Sequence, residues 1–175
     1  MTIGLWQLLG FAFTSFFGTL LHFLYDFTNS SVFAAPFSGV NESTWEHMKL
    51  LFFPALIFAL IEWLFIGKRD KSFWCVKLWG IIIGLSAIPV LFYTINGAFG
   101  KTPDWLNITI FFVSAAYMYV FEWRRLNSET GKHCNQKIAI AVLVLIALAF
   151  VVFTFAVPRL PIFLDPITTT YGIQD

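Results

Sequence analysis

Charge is what this 175-residue sequence has least of: Asp, Glu, Lys and Arg together make up 12% of it. Soluble domains carry about 25%, and a chain this poor in charge cannot cover a water-facing surface with polar groups. Its 11 basic and 10 acidic residues nearly cancel, which leaves no cationic face for nucleic acid. Cysteine is scarce as well. Cys75 and Cys134 make neither a disulfide framework nor a Cys-x-x-Cys motif, and both read as inert small side chains, reduced in the cytoplasm. There are three histidines but no His-Glu-x-x-His, so no zinc signature of recognised spacing is present.

What is there is apolar: 58% hydrophobic residues and 19% aromatics, with 22 Phe and 7 Trp. A bilayer core of ~30 Å takes about 20 residues of helix. Five runs qualify, at roughly residues 3–25, 48–66, 76–98, 106–123 and 138–157. They lack the alternation of barrel strands, and helices satisfy their own backbone in lipid. The predicted fold is therefore all-α, a single domain over 1–175 built as a bundle of five transmembrane helices, with a loop 26–47 and a tail 158–175 on one side. Lys68, Arg69, Lys71, Lys77, Arg124, Arg125, Lys132 and Lys137 gather on one side, against Lys49, Lys101 and Arg159 on the other. Cations favour the cytoplasm, so the N-terminus is expected inside and the C-terminus outside. The first run lacks a basic leader and carries polar residues, so it reads as a retained helix rather than a signal peptide.

Polar residues inside such spans are costly and mark candidate sites. Ser15, Thr19, His22 and Asp26 recur at helical spacing, which predicts one stripe facing the bundle. An imidazole beside a carboxylate is a general base or an oriented metal ligand. The run Asn41-Glu42-Ser43-Thr44-Trp45-Glu46-His47 contains Ser43-x-x-Glu46, a capping box that would start the second helix. Glu46 is thus either a capping residue or an acid of a site, and His47 either an interfacial hydrogen-bonder or a ligand. The third run has Ser86, Pro89, Tyr93 and Asn96 on one stripe, with a kink expected at Pro89. The fourth has Asn107, Ser114 and Tyr117. The fifth offers only Thr154 and reads as a lipid-facing wall. The tail, with Asp165 and Tyr171, either packs back over the outer mouth or frays.

Sidedness is the important pattern. His22, Asp26, Glu42, Glu46, His47, Asp104, Asp165 and Asp175 all map to the outer side, which holds six of the ten acids. Zn²⁺ is the cofactor such a set would take, through His22, Asp26 and His47. His22, Asp26 and Glu46 are the candidate catalytic groups, and Asn41, Glu42, Tyr93, Asn96, Asp165 and Tyr171 the candidate binding groups. On the inner side there is a weak echo, Glu62-Trp63 against Glu122-Trp123. It is either an internal repeat or an interfacial tryptophan beside an acid paired with a nearby Lys or Arg. Gly80 and Gly84 have the spacing of a close helix contact, within one chain or between two.

The segment Val40–Leu50, preceded by Leu21–Asp26, resembles a group of uncharacterised small multipass membrane proteins of bacteria, chiefly Gram-positive. The tail, from Pro161-Ile162-Phe163 to Tyr171-Gly172, resembles them too. That resemblance implies a bacterial plasma-membrane protein and brings no activity. A fainter one is to the membrane hydrolases that include alkaline ceramidases and adiponectin receptors, which use a Ser, an Asp and three His around zinc within seven helices. Ser15, His22, Asp26 and His47 imitate parts of that set. The chain departs from it in having five helices and in placing His133 on the cytoplasmic side.

Three functions fit these readings. One is a hydrolase at the outer interface, in which a metal-bound or base-activated water attacks a lipid or other membrane-interface substrate. Another is a carrier or binding protein for a small solute or cation. The last is a non-catalytic membrane partner. The lipid bilayer is the expected surrounding in each case, with a homo-oligomer or a second membrane protein as further partner.

Overall fold

The structure, a computed structural model, describes residues 2–100, 103–128 and 134–173, without the side chains of Arg69 and Asp104. Lys101, Lys132, His133 and Asp175, which entered the sequence reading, lie outside the described residues, as does the side chain of Asp104. Five helices follow one another: α1 (Ile3–Phe27), α2 (Thr44–Phe65), α3 (Phe73–Phe99), α4 (Asp104–Leu126) and α5 (Gln136–Phe155). All five are long and apolar enough to cross a membrane, and the chain is a multipass membrane protein of the expected all-α class. Lys68, Lys71, Arg124, Arg125 and Lys137 fall at the end of the bundle where α1 starts, here called the basic end. His22 and His47 fall near the opposite, histidine end.

The helix boundaries follow from local chemistry. Thr2 and Asn135 cap α1 and α5 by accepting backbone N–H groups with their side chains, filling orphan donors of the first turn. Ser43 caps α2 by accepting from the Glu46 amide at 3.4 Å, so α2 begins four residues before the apolar run. Only half of the expected capping box forms. The Ser43 amide goes to Asn41 Oδ1 at 2.9 Å, while the Glu46 carboxylate takes the Val40 amide at 3.0 Å. Gly100, at φ +80°, ends α3, where its missing Cβ costs nothing. Helix α3 runs through Pro89 as a single helix.

Helices α2 and α3 hold most of the core, around Leu51, Phe52, Phe73 and Ile81. Helix α4 packs on α3 and α1, while α5 lies against α3 and α2. The inward stripe of α1 differs from the expected one: Gln7, Gly10, Thr14, Gly18 and Tyr25 are buried, whereas Thr19 and Asp26 are exposed. The reason is steric. A Cβ at Gly18 would lie 2.6 Å from Phe111 and 2.7 Å from the Leu50 carbonyl, so the glycine stripe sets which face can approach its neighbours. The Gly80–Gly84 contact falls within the chain, between α3 and α4, where the two glycines meet Glu122 and Met118.

The loop after α1 and the tail are both held in place. The Ser38 hydroxyl donates to the Leu21 carbonyl at 2.5 Å and accepts the Tyr25 amide at 2.9 Å, pinning the loop after α1 to one helical rung. The tail packs back: Phe163 is buried against Trp45, ring centroids 4.7 Å apart, and Leu164 bridges to Tyr171. One expectation fails. Cys75 and Cys134 form a disulfide, with Cα atoms 6.4 Å apart, well within bridging reach. They lie 59 residues apart in the chain, and the packing of α5 on α3 brings them together, so spacing gave no hint of it.

Candidate functional site

At the histidine end the chain builds a His–Glu–His arrangement. His22 lies in the last turns of α1, His47 in the first turn of α2, and Glu42 in the connection just before the Ser43 cap. His22 Nε2 stands 3.6 Å from Glu42 Oε1 and His47 Nε2 stands 3.5 Å from Glu42 Oε2. The two rings face each other with centroids 5.6 Å apart. His47 is oriented by its Nδ1, 3.0 Å from the Ser43 carbonyl, so its Nε2 is the nitrogen left for Glu42. His22 Nδ1 is buried without a hydrogen-bond partner among the described residues.

Beside this pair lies a cavity of about 160 Å³ whose lining includes Thr19, His22, His47, Asn107, Phe111 and Phe112. A much smaller space, about 20 Å³, adjoins Glu42, Thr44, His47 and Asn107. Asn107 Oδ1 is buried and has no partner among the described residues. The cavity therefore offers acceptors and aromatic faces, with a carboxylate close by.

The other expected residues do not converge here. Asp26 is exposed and makes no ion pair among the described residues. Glu46 is buried with Lys49, whose Nζ lies 2.6 Å from Glu46 Oε2. That ammonium also donates to the Ala35 carbonyl at 2.9 Å and to Thr154 Oγ1 at 3.0 Å. The single polar residue of α5's interior is thus part of a buried network rather than a bare wall. Asp165 is buried and accepts the Ile167 amide at 2.7 Å, which shapes the tail. Asn41 donates to the Gly172 carbonyl at 2.9 Å. These two hold the tail against the loop. Tyr93 is exposed on the last turns of α3, Asn96 donates to the Phe92 carbonyl, and Tyr171 is also exposed. Among the described residues no group of three or more His, Cys, Asp and Glu side chains is arranged to hold a metal ion.

A second constellation was not expected. Lys77, five residues into α3, is buried with Glu62 of α2 and Glu122 of α4, all at most 2% exposed. Lys77 Nζ contacts Glu62 Oε2 directly and lies 2.5 Å from Glu122 Oε2. Gln7 of α1 donates to Glu62 Oε1 at 2.6 Å. Nearby, Thr14 and the Tyr119 hydroxyl share a hydrogen bond of 2.7 Å, and the Lys77 ammonium faces the Tyr119 ring. Four helices are joined by one ammonium and its partners. The Glu-Trp echo was the available signal: both acids pair with Lys77 inside the spans, and neither pairs with a loop cation among the described residues. The polar groups of the basic-end half are thus more numerous than the sequence implied.

A family model described as a family of unknown function (DUF6512) matches residues 2–173. No curated protein matches the chain, and no solved structure does.

Proposed function

We propose that this chain, which belongs to that family of unknown function, binds a small cation of ammonium or alkylamine size at its histidine end and carries it into the bundle. The observation that supports this reading is the cavity of about 160 Å³ beside His22 and His47. It has room for about five water volumes at ~30 Å³ each, too little for a lipid headgroup with its chains. Asn107 Oδ1 is an acceptor with no partner among the described residues, the Glu42 carboxylate lies within 3.6 Å of both lining imidazoles, and the walls carry Phe111 and Phe112. Acceptors, a carboxylate and aromatic faces together favour a positively charged donor over an anion. The buried groups from Thr14 and Tyr119 to Lys77, Glu62 and Glu122 supply polar partners further along the bundle. In the expected orientation the site opens outward from a bacterial plasma membrane.

The hydrolase reading has less behind it, because Asp26 and Glu46 stand apart from the imidazoles. Each Glu42 oxygen faces a different imidazole, and no group of three or more His, Cys, Asp and Glu side chains among the described residues is arranged to hold a metal ion. Both readings meet in one experiment: uptake of labelled methylammonium into proteoliposomes, with zinc content measured on the same preparations. Saturable uptake that falls at least tenfold in Glu42→Gln supports the carrier. Absence of uptake together with stoichiometric zinc, lost in His22→Ala/His47→Ala, overturns it in favour of the hydrolase. Absence of both leaves a non-catalytic membrane partner.

A further inference from the structure

A cavity of about 420 Å³ forms a cleft at the basic end, far from the histidines. It lies between the first turns of α1 (Gly4, Gln7, Leu8 and Phe11) and the last turns of α4, at Ala116, Tyr119, Val120 and Trp123. Leu8, Val120 and Trp123 are 62, 45 and 47% exposed, on the flank that the spans turn to hydrocarbon. From Gly4 to Phe11 a helix rises about 10 Å. That is shorter than one leaflet of a ~30 Å core, so the cleft fits part of a lipid chain entering from the interface at the basic end.

Its mouth is charged. Ala116, Val120 and Arg124 follow one another at i, i+4 spacing on α4, so Arg124 shares the face that lines the cleft. Arg125 follows at once. Both arginines are exposed, and neither has an ion pair among the described residues. Beside them is Trp123, whose indole Nε1 lies 3.4 Å from where a Cβ on Gly4 would stand. That nitrogen is a donor at the mouth. On the floor, Gln7 is 4% exposed and its Oε1 has no partner among the described residues. We infer that the cleft is a binding site for an anionic phospholipid, with an acyl chain between α1 and α4 and the phosphate held by Arg124 and the Trp123 indole. Unpaired guanidinium groups beside an apolar groove recognise such a headgroup. A neutral lipid has the chain but gains little from Arg124, and free phosphate has the charge but cannot fill the cleft. The inference is independent of what the histidine end binds.

The test is native mass spectrometry of the full chain released from nanodiscs of equal phosphatidylglycerol and phosphatidylcholine. The wild type is expected to retain one phosphatidylglycerol in preference to phosphatidylcholine. Arg124→Ala should reduce that preference about fivefold, the effect of one cation at a membrane surface. Ala116→Phe, which fills the cleft and keeps the arginine, should lower retention of both lipids. Leu8→Trp, on the exposed rim, serves the same purpose if the change at the half-buried Ala116 impairs folding. Lys71→Ala, another exposed cation of the basic end, should leave the preference unchanged. Equal retention of the two lipids overturns the inference. So does a preference that survives both Arg124→Ala and the cleft-filling variants, or one that inorganic phosphate alone abolishes at millimolar concentration.

Discussion

Glu42 stands between His22 and His47, and each of its carboxylate oxygens faces a different imidazole, at 3.6 and 3.5 Å. A residue outside any helix thereby links the end of α1 to the start of α2. The link is partly open to solvent, with 31 and 20% of the histidine side chains and 40% of the Glu42 side chain exposed, so each half should be weak.

Double-mutant cycles in detergent are expected to give coupling energies of about 0.2–1 kcal/mol for Glu42 with His22 and for Glu42 with His47, the range of screened ion pairs. Raising the salt concentration should shrink both. Zero coupling in both cycles would mean that the three side chains are neighbours without being partners.

Lys77→Met should behave very differently. It leaves Glu62 and Glu122 buried without their shared ammonium, at a cost of about 3–5 kcal/mol. Lys71→Met, at an exposed position next to α3, should stay within about 0.5 kcal/mol. Thermal unfolding followed by tryptophan fluorescence separates the two. Similar melting temperatures for both variants would show that the cluster holds nothing together.

The glycines of α3 give a steric test. A Cβ at Gly80 would lie 2.5 Å from Glu122 Oε1, whereas one at Gly97 meets nothing within 4 Å. Gly80→Ala should therefore destabilise by about 1–3 kcal/mol through overpacking. Gly97→Ala should be neutral, or stabilising by up to about 1 kcal/mol through helix propensity. The reverse order in a denaturation series would contradict the α3–α4 packing.

For the tail, Phe163→Ala removes the ring packed on Trp45 and Phe153. Losing a buried aromatic costs about 3 kcal/mol or more, and here that cost falls on a local opening. Tryptic cleavage at the exposed Arg159 should rise about 100-fold or more while the helical circular dichroism is unchanged. A tail cut equally fast in the wild type would be frayed rather than packed.

Cys75 and Cys134 should take up no maleimide in the purified, unfolded chain until a reductant is added, and two equivalents afterwards, because they are bridged. Two reactive thiols before reduction would restore the inert reading of both residues. The pair also bears on orientation. Basic residues assign this end to the cytoplasm, whereas a persistent bridge belongs to an oxidising compartment. Trapping the thiols in acid-quenched cells decides between them.

The spans were legible in sequence because a helix in lipid needs an uninterrupted apolar run, and five such runs are unmistakable. Ser43 as a cap was legible for an equally local reason. What escaped was everything that depends on which faces meet. The period of Ser15, Thr19, His22 and Asp26 is helical, but periodicity does not choose among overlapping stripes. Gly10 and Gly18 choose, since only their side of α1 can approach Phe58, Phe111 and Tyr119. Glu42 read only as one of several binding groups, and the Ser43 cap leaves it outside α2, where it reaches the histidines. Lys77 looked like a flanking cation because it stands close to other basic residues, and only the packing of α2 and α4 against α3 makes it a core residue.

That buried lysine also sets a schedule for building the protein. A lysine at the centre of an apolar helix resists entry into the bilayer by ~2.5–3.5 kcal/mol, and Lys77, in the second turn of α3, carries part of that cost. Its first acid, Glu62, is already made when α3 leaves the ribosome, and only the short connection 66–72 separates the two helices. Helices α2 and α3 can therefore enter the membrane as a neutralised hairpin. Glu122 comes 45 residues after Lys77, a delay of about 2–9 s at ~5–20 residues per second. During that interval the hairpin holds a half-engaged ammonium, and the arrival of α4 completes its shell. The same contact that joins four helices in the finished bundle thus gives their assembly an order: α4 brings its carboxylate to a lysine that Glu62 already accompanies.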